Sequence, residues 1–376
     1  MRPKTFALER FFAQHEFTAR YLLSTSDCEG LAMADLLAAA DTDVRERWEH
    51  LRLGYTESPG LPEFRHEIAE LYGTVNAEDV LVAAPEEGVF LLMNALLEPG
   101  DHVVCTFPGY QSLYQLALSI GCDVAFWQPV EGDKWHFDPT RLEELLRPNT
   151  RLVVWNFPHS PTGALPSAQE FDHMLDACGA VGAWVFSDEM YRLLEPTAAE
   201  RLPAAVDRYE RAVSLSGMSK SFGLAGLRIG WVATHDPNLR REMNALKDYT
   251  TICSSAPSEL LALAALRSQA TILSAHRERL QRNILAARGF FARHAARFRW
   301  IPPRAGTVCF PRLAADASGA ESFCSRVLRD TGVLLLPSTV YDYGDEHFRL
   351  GLGRDDFVEG LGILDDYLQG RDPQAG

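Results

Sequence analysis

Short apolar runs closed by turn residues alternate, along most of the chain, with longer stretches whose apolar positions recur every three or four residues. The first pattern suits strands buried on both faces and the second suits amphipathic helices, so their alternation predicts a largely parallel sheet covered by helices. Strands are predicted at Val80 to Ala84, His102 to Thr106, Asp123 to Trp127, Leu152 to Asn156, Trp184 to Ser187, Val213 to Ser216 and Ile229 to Ala233. Between them helices are predicted near 62–72, 87–97, 111–119, 167–178 and 239–248. These elements make one large α/β domain with a seven-stranded sheet. From about Ser258 to Arg297 the pattern stays helical, a length that often links domains. Beyond Pro302 and Pro303, predicted strands at Val308 to Phe310, Val333 to Leu336 and Phe348 to Leu350, with helices near 321–330 and 355–368, suggest a smaller α+β domain. The expected division is an N-terminal segment, 1–30, packing with the small domain, a large domain, 31–257, a long helical region, 258–298, and the small domain, 299–376.

Composition narrows the class. The chain has 376 residues, 47% apolar and 23% charged, with 36 Lys and Arg against 51 Asp and Glu, a formal net charge of −15. That is an ordinary globular balance, in a chain long enough to bury a large core without disulfides. Seven cysteines, at 28, 105, 122, 178, 253, 309 and 324, form no CxxC pair, which suits a reducing compartment. The opening MRPKTFALERFF lacks the apolar run of a signal peptide, and no stretch approaches a membrane span, so a cytoplasmic protein is expected. A pI near 5.2 argues against nucleic acid as the main partner, because phosphate contacts along a duplex need clustered Lys and Arg. It leaves room for a small phosphorylated ligand, which needs one local cation. No internal repeat is visible, and RDPQAG at the end reads as a tail.

Ligands of open α/β sheets gather at the carboxyl ends of the strands. There the chain places Asn156-Phe157-Pro158-His159-Ser160-Pro161-Thr162-Gly163, then Asp188-Glu189-Met190-Tyr191, then Gly217-Met218-Ser219-Lys220, with Arg228 in GLAGLRIGW. Each group has a use if the ligand is pyridoxal phosphate. Lys220, among apolar or small neighbours, suits the amine that condenses with an aldehyde. Asp188 suits the carboxylate that keeps a pyridine nitrogen protonated, so that the ring draws electrons from a substrate's α-carbon. Tyr191 could donate to the ring oxygen, and Arg228 offers a fork of donors to the phosphate. Taken singly, Asp188 could be a helix cap, Lys220 a solvated lysine and Arg228 a surface ion pair; their order at neighbouring strand ends favours the joint reading.

The chain resembles the class I/II aminotransferases, the fold-type I pyridoxal phosphate enzymes. The likeness is carried by YTESPGLPEFR (55–65), VLVAAPEEGVFLLMNALLEPGD (80–101), FPGY (107–110), NFPHSPTG (156–163), SDEMYR (187–192), SGMSKSFGLAGLRIGW (216–231) and HFRLGLG (347–353), spread over nearly the whole chain. The resemblance implies the aspartate aminotransferase fold, a homodimer with a shared active site, and a small-molecule amino acid substrate. It makes Lys220 the Schiff-base lysine, Asp188 the partner of the pyridine nitrogen, Tyr191 the ring-oxygen donor and Arg228 a phosphate ligand. It also implies that Tyr110 stacks on the pyridine, that Tyr55 reaches the phosphate of the partner subunit's cofactor, and that Arg349 holds the substrate's α-carboxylate. Asn156, Ser160 and Ser219 complete the expected cofactor contacts, Ser160 also facing the substrate.

Two departures stand out. Ser160 occupies the place of the asparagine in the family's HNPTG turn, so water or Asn156 would have to replace its bridging amide. At the phosphate-cradling helix start, where the family tends to a TNGSQ-like turn, the chain has Ala84-Pro85-Glu86-Glu87-Gly88. Backbone amides there can still hold phosphate, but a carboxylate aimed at a dianion is repelled, so one of Glu86 and Glu87 is expected to point away, unless both simply complement the helix dipole.

The fold supports transamination, elimination, replacement and cyclisation alike. Transamination, with Lys220 as acid and base, is the expected reaction. The alternative is loss of water and ring closure on a hydroxylated guanidino amino acid, because LERFFAQHEF, STSDCEG, NFPHSPTG, LKDYTTICSSAP and WIPPRAGTVCFPRL resemble the capreomycidine synthase-like branch. A cationic substrate would give Glu9, Asp27, Glu29, Glu86 and Glu87 a purpose beyond surface solvation. A cofactor-binding sensor domain of a winged-helix regulator is disfavoured, since no basic DNA-binding module is visible.

Overall fold

The computed structural model describes residues 3–314 and 318–370; the tail RDPQAG lies outside them. A seven-stranded sheet organises the chain, from β1 (Val80–Ala83), β2 (His102–Thr106), β3 (Asp123–Trp127), β4 (Thr150–Asn156) and β5 (Trp184–Asp188) to β6 (Ala212–Gly217) and β7 (Gly230–Ala233). The order across it is β1-β7-β6-β5-β4-β2-β3. Strands β2 to β6 run parallel, and β7 is antiparallel to both β1 and β6. The central strands β2 and β5 are buried at every position, as a sheet covered on both faces requires, whereas the edge strand β3 is buried only at Trp127. From β3 the chain returns past β2 to form β4 and then continues outward through β5 and β6, so the direction of winding reverses between β2 and β4. Ligand clefts of open sheets lie at the strand ends beside such a reversal.

Local signals fix the covering helices. Ser167 and Glu170 form a reciprocal capping box at the start of the helix Ala168–Val181, and the Asp236 carboxylate caps Pro237–Lys247. The helix Pro85–Leu96 opens with a proline, whose missing N–H would have had no partner there. The long helical region is two helices, Ala256–Arg267 and Gln269–Arg293, broken at Ser268. The C-terminal part holds a three-stranded sheet of Leu336–Pro337, Phe348–Gly351 and Val308–Cys309, with helices Gly319–Thr331 and Phe357–Leu368. The strand expected at 333–336 is displaced: Val333 makes only an isolated bridge with Tyr21, because the N-terminal segment occupies its edge. Helices Ala7–His15 (α1), Met33–Ala39, Thr42–Glu49 and Pro139–Leu145 escape the periodicity reading, being short; Thr42–Glu49 buries only Val44.

Residues 20–29 form a strap without regular structure that crosses from the C-terminal sheet to the sheet ends. Gly351 N–H donates to Leu23 O at 2.8 Å, Glu29 N–H to Gly353 O at 2.9 Å and Cys28 N–H to Lys220 O at 3.4 Å. Gly351 and Gly353 permit this approach, since a Cβ would stand 1.9 Å from Thr25 O and 2.1 Å from Asp27 O. No described helix is long and apolar enough to cross a membrane.

Candidate active site

A cavity of about 460 Å³ opens at the carboxyl ends of β4, β5 and β6, closed by α1 and the strap on one side and by Arg349 and Tyr341 on another. Its floor follows from strand register. Asn156 and Asp188 are register partners at the ends of adjacent parallel strands, and Lys220 follows the end of the next. Asn156 Nδ2 donates to Asp188 O at 2.9 Å, and Asn156 Oδ1 accepts from Ser160 N–H at 2.8 Å, so its amide braces the two strand ends. Asp188 is 7% exposed, and its Oδ1 accepts from Met190 N–H at 3.1 Å. Burial pushes its carboxyl up to about 7, opposed by that hydrogen bond and by the nearby Lys220. The carboxylate therefore lacks a sufficient counter-charge until a cation lies beside it.

Lys220 Nζ donates to Ser26 Oγ at 2.9 Å. Arg349, 3% exposed, is locked by Nε to Ser24 O at 2.8 Å and Nη1 to Tyr341 Oη at 2.7 Å, and its guanidinium lies 5.5 Å from the Phe12 ring centroid. Tyr341 also faces the Ser160 hydroxyl, so this phenol stands between serine and arginine. Arg228 is exposed at the cavity wall, with Nη1 on Ala225 O at 2.9 Å. Tyr110 donates to Glu9 Oε1 at 3.3 Å and packs against Phe6. Burial raises the Glu86 carboxyl to about 7, and it accepts from Ser112 Oγ at 3.1 Å.

Of the residues singled out from sequence, Lys220, Asp188, Tyr191, Arg228, Tyr110, Asn156, Ser160, Ser219, Glu86 and Arg349 all line this cavity. Glu87 does not; it turns to the loop after the helix Pro237–Lys247, where Thr250 and Thr251 donate to it. Tyr55 does not reach this chain's cavity either, and is 89% exposed. Glu9, Asp27 and Glu86 line the cavity, whereas Glu29 faces Arg354 and Asp355. Sequence reasoning missed Phe12, Glu16, Ser26 and Tyr341, which also line it. Glu16 sits about two turns beyond Glu9, at the C-terminal end of α1, a spacing that becomes a signal only once that helix is recognised.

The profile of Aminotransferase class I and II matches residues 21–358. The chain belongs to this family. A PLP-dependent aminotransferase from Streptococcus suis superposes with a TM-score of 0.92 at 29% identity, covering 99% of both chains. The PLP-dependent cyclase OrfR superposes with a TM-score of 0.89 at 30% identity, covering 98% of both. Capreomycidine synthase of Streptomyces vinaceus is 28% identical over 371 residues, 96% of this chain and 93% of its own. Pyridoxal phosphate is thus the cofactor of this class I/II family enzyme. The cavity fits it chemically: Ser219 Oγ is buried there without a partner among the described residues, the first N–H groups of the helix Pro85–Leu96 have no acceptor within the helix, and the desolvated Asp188 calls for a cation.

Proposed function

We propose that the enzyme transaminates an L-amino acid through Lys220. The observation that supports this best is the convergence of Lys220, Asp188 and Arg349 on one cavity. When bound, pyridoxal phosphate supplies an aldehyde for the amine and a ring that withdraws electrons from the substrate's α-carbon. Lys220 Nζ takes the α-proton and returns one, the acid-base work of a positioned amine. Asp188, short of a counter-charge, would hold the ring nitrogen protonated. Arg228, Ser219 and the helix amides of Glu86 and Glu87 would hold the phosphate. Tyr191 and Tyr110 would help hold the cofactor's ring, and Arg349 would take the α-carboxylate with the part of its fork not held by Ser24 and Tyr341. Asn156 braces the floor, and Ser160 acts with Tyr341.

The strap and the C-terminal part would form the smaller domain, with boundaries near 1–30, 31–257, 258–298 and 299–376. A homodimer is the proposed assembly: Leu53, Tyr55, Tyr249 and Ile252 are exposed on two loops joined by Thr56 Oγ1 donating to Ser254 O at 3.0 Å, and Tyr55 would complete the partner's phosphate site. Seven unpaired cysteines favour a reducing compartment, the cytoplasm.

A second reading is favoured by the cavity's lining of Glu9, Glu16, Asp27 and Glu86, which suits a cationic side chain, and by the likeness to capreomycidine synthase and to a PLP-dependent cyclase. In it the enzyme removes water from a hydroxylated guanidino amino acid and closes a ring. The test is a panel of amino acids given to the cofactor-loaded enzyme. Build-up of the pyridoxamine form with release of keto acid supports transamination; loss of water from a hydroxylated arginine without that form supports the second reading. Borohydride should trap the cofactor on Lys220, and Lys220→Ala should abolish both the adduct and the visible-edge absorption band; their persistence would overturn the assignment of Lys220.

A further inference from the structure

The Lys220 amine ends a flexible four-carbon stem that opens on the cavity. Among the described residues its nitrogen donates one hydrogen bond, to Ser26 Oγ at 2.9 Å. Ser26 is 8% exposed and closely held. Its carbonyl accepts from Thr307 Oγ1 at 2.6 Å, Arg354 binds the preceding Thr25 hydroxyl at 3.0 Å and the following Asp27 carboxylate at 3.2 Å, and Cys28 N–H donates to the carbonyl of Lys220 itself. Both ends of the lysine, backbone and amine, are therefore tied to one stretch, Ser26 to Cys28. Two residues earlier in the same strap, Ser24 O holds Arg349 Nε. The strap thus fixes the amine relative to the proposed carboxylate fork.

We infer that Ser26 is the positioning residue for the Lys220 amine, a role that rests on the proposed use of Lys220 as acid and base. A hydroxyl suits this work because it is uncharged and serves either protonation state, accepting from an ammonium and donating to a free amine. A carboxylate in its place would favour the ammonium alone. An alanine would leave the amine free to wander, and misplacement of a reacting group by about 1 Å can slow a reaction roughly a hundredfold.

The test compares cofactor-loaded wild type, Ser26→Ala and Ser26→Thr for exchange of the substrate's α-proton with deuterated solvent in the absence of a keto acid, alongside KM and thermal melting. The rate at which cofactor-free protein captures pyridoxal phosphate, followed by absorbance, is a readout independent of turnover. In Ser26→Ala, exchange should fall roughly tenfold to a hundredfold and capture should slow, with KM within about twofold of wild type. Ser26→Thr, which keeps the hydroxyl, should recover most of both. Exchange in Ser26→Ala equal to wild type, a defect confined to KM, or a Ser26→Thr protein as slow as Ser26→Ala with an unchanged melt would each overturn the inference. Wild type that fails to capture the cofactor at Lys220 would instead overturn the reading on which it rests.

Discussion

The floor and the rim of the cavity are built by different means. The floor, with Asn156, Asp188 and Lys220, hangs on strand ends whose spacing is set by backbone hydrogen bonds of the parallel ladder. The rim, with Glu9, Phe12, Glu16, Ser26 and Asp27, comes from a nine-residue helix and an irregular strap, held by side-chain contacts such as Arg354 to Asp27 and Thr307 to Ser26. The floor also places its charge under desolvation, lifting the Asp188 carboxyl, whereas Glu9 on the rim is exposed. The desolvated floor, with Ser26 reaching it from the strap, suits chemistry common to every substrate; the carboxylates of the rim suit discrimination among substrates.

Substitution at the floor should be felt by all substrates. In Asp188→Asn, turnover should fall by roughly one to two orders of magnitude whichever amino acid is offered, the effect of losing a contact worth about 1.5–3 kcal/mol to a charged group. Cofactor-free stability should move the other way. Burial raises the Asp188 carboxyl from 3.8 to about 7, so its contribution is intact below about pH 4 and is lost as pH rises through about 7. At pH 8 the cofactor-free Asp188→Asn protein should therefore be more stable by up to about 4 kcal/mol, and at pH 4 the gain should vanish. Denaturant melts at the two pH values check this, and a gain that persists at pH 4 would contradict the desolvation account.

The junction of strap and C-terminal sheet should give the next largest effect. Gly351→Ala drives a methyl against Thr25 O and should destabilise the fold by about 1–3 kcal/mol, with KM rising because Ser24 and Arg349 shift together. A change in stability with KM untouched would show that the strap does not position Arg349. The smallest effect belongs to the rim. Glu16 is partly desolvated, and its carboxyl is raised by burial and by Asp27. Glu16→Gln should weaken preference for a cationic over a neutral amino acid by about fivefold, or ~1 kcal/mol, leaving the best neutral substrate unaffected. Equal loss for both would remove the distinction between floor and rim.

The floor was readable in the chain because Asn156, Asp188 and Lys220 each end or follow a short apolar run, and such runs reveal where strands stop. Strands β2 and β3 were placed to the residue, and NFPHSPTG, SDEMYR and SGMSK fell at strand ends as expected. The rim was readable only in part: Glu9 and Asp27 stood out as acidic candidates and line the cavity, whereas Phe12, Glu16 and Ser26 did not stand out. STSDCEG is polar and lacks period, and its partners Thr307, Gly351 and Arg354 lie about 280 to 330 residues away. The acidic candidates divided for the same reason: Glu86 and Glu87 are adjacent, yet a helix turns neighbouring side chains about 100° apart, so one faces the cavity and the other the Thr250 loop.

Alternation of apolar and amphipathic stretches was enough to specify the covered parallel sheet, and the motifs at strand ends carried the likeness to the family and picked out Lys220, Asp188 and Arg228, which line one cavity, because those features depend on local periodicity and on a few neighbouring residues. Only the folded molecule decided that Ser26 would hold the amine, that Tyr341 would stand between Ser160 and Arg349, and which carboxylates would face the ligand. These are contacts between segments far apart in the chain, and their geometry is set by packing of the strap against the C-terminal sheet, which leaves no periodic trace in the sequence.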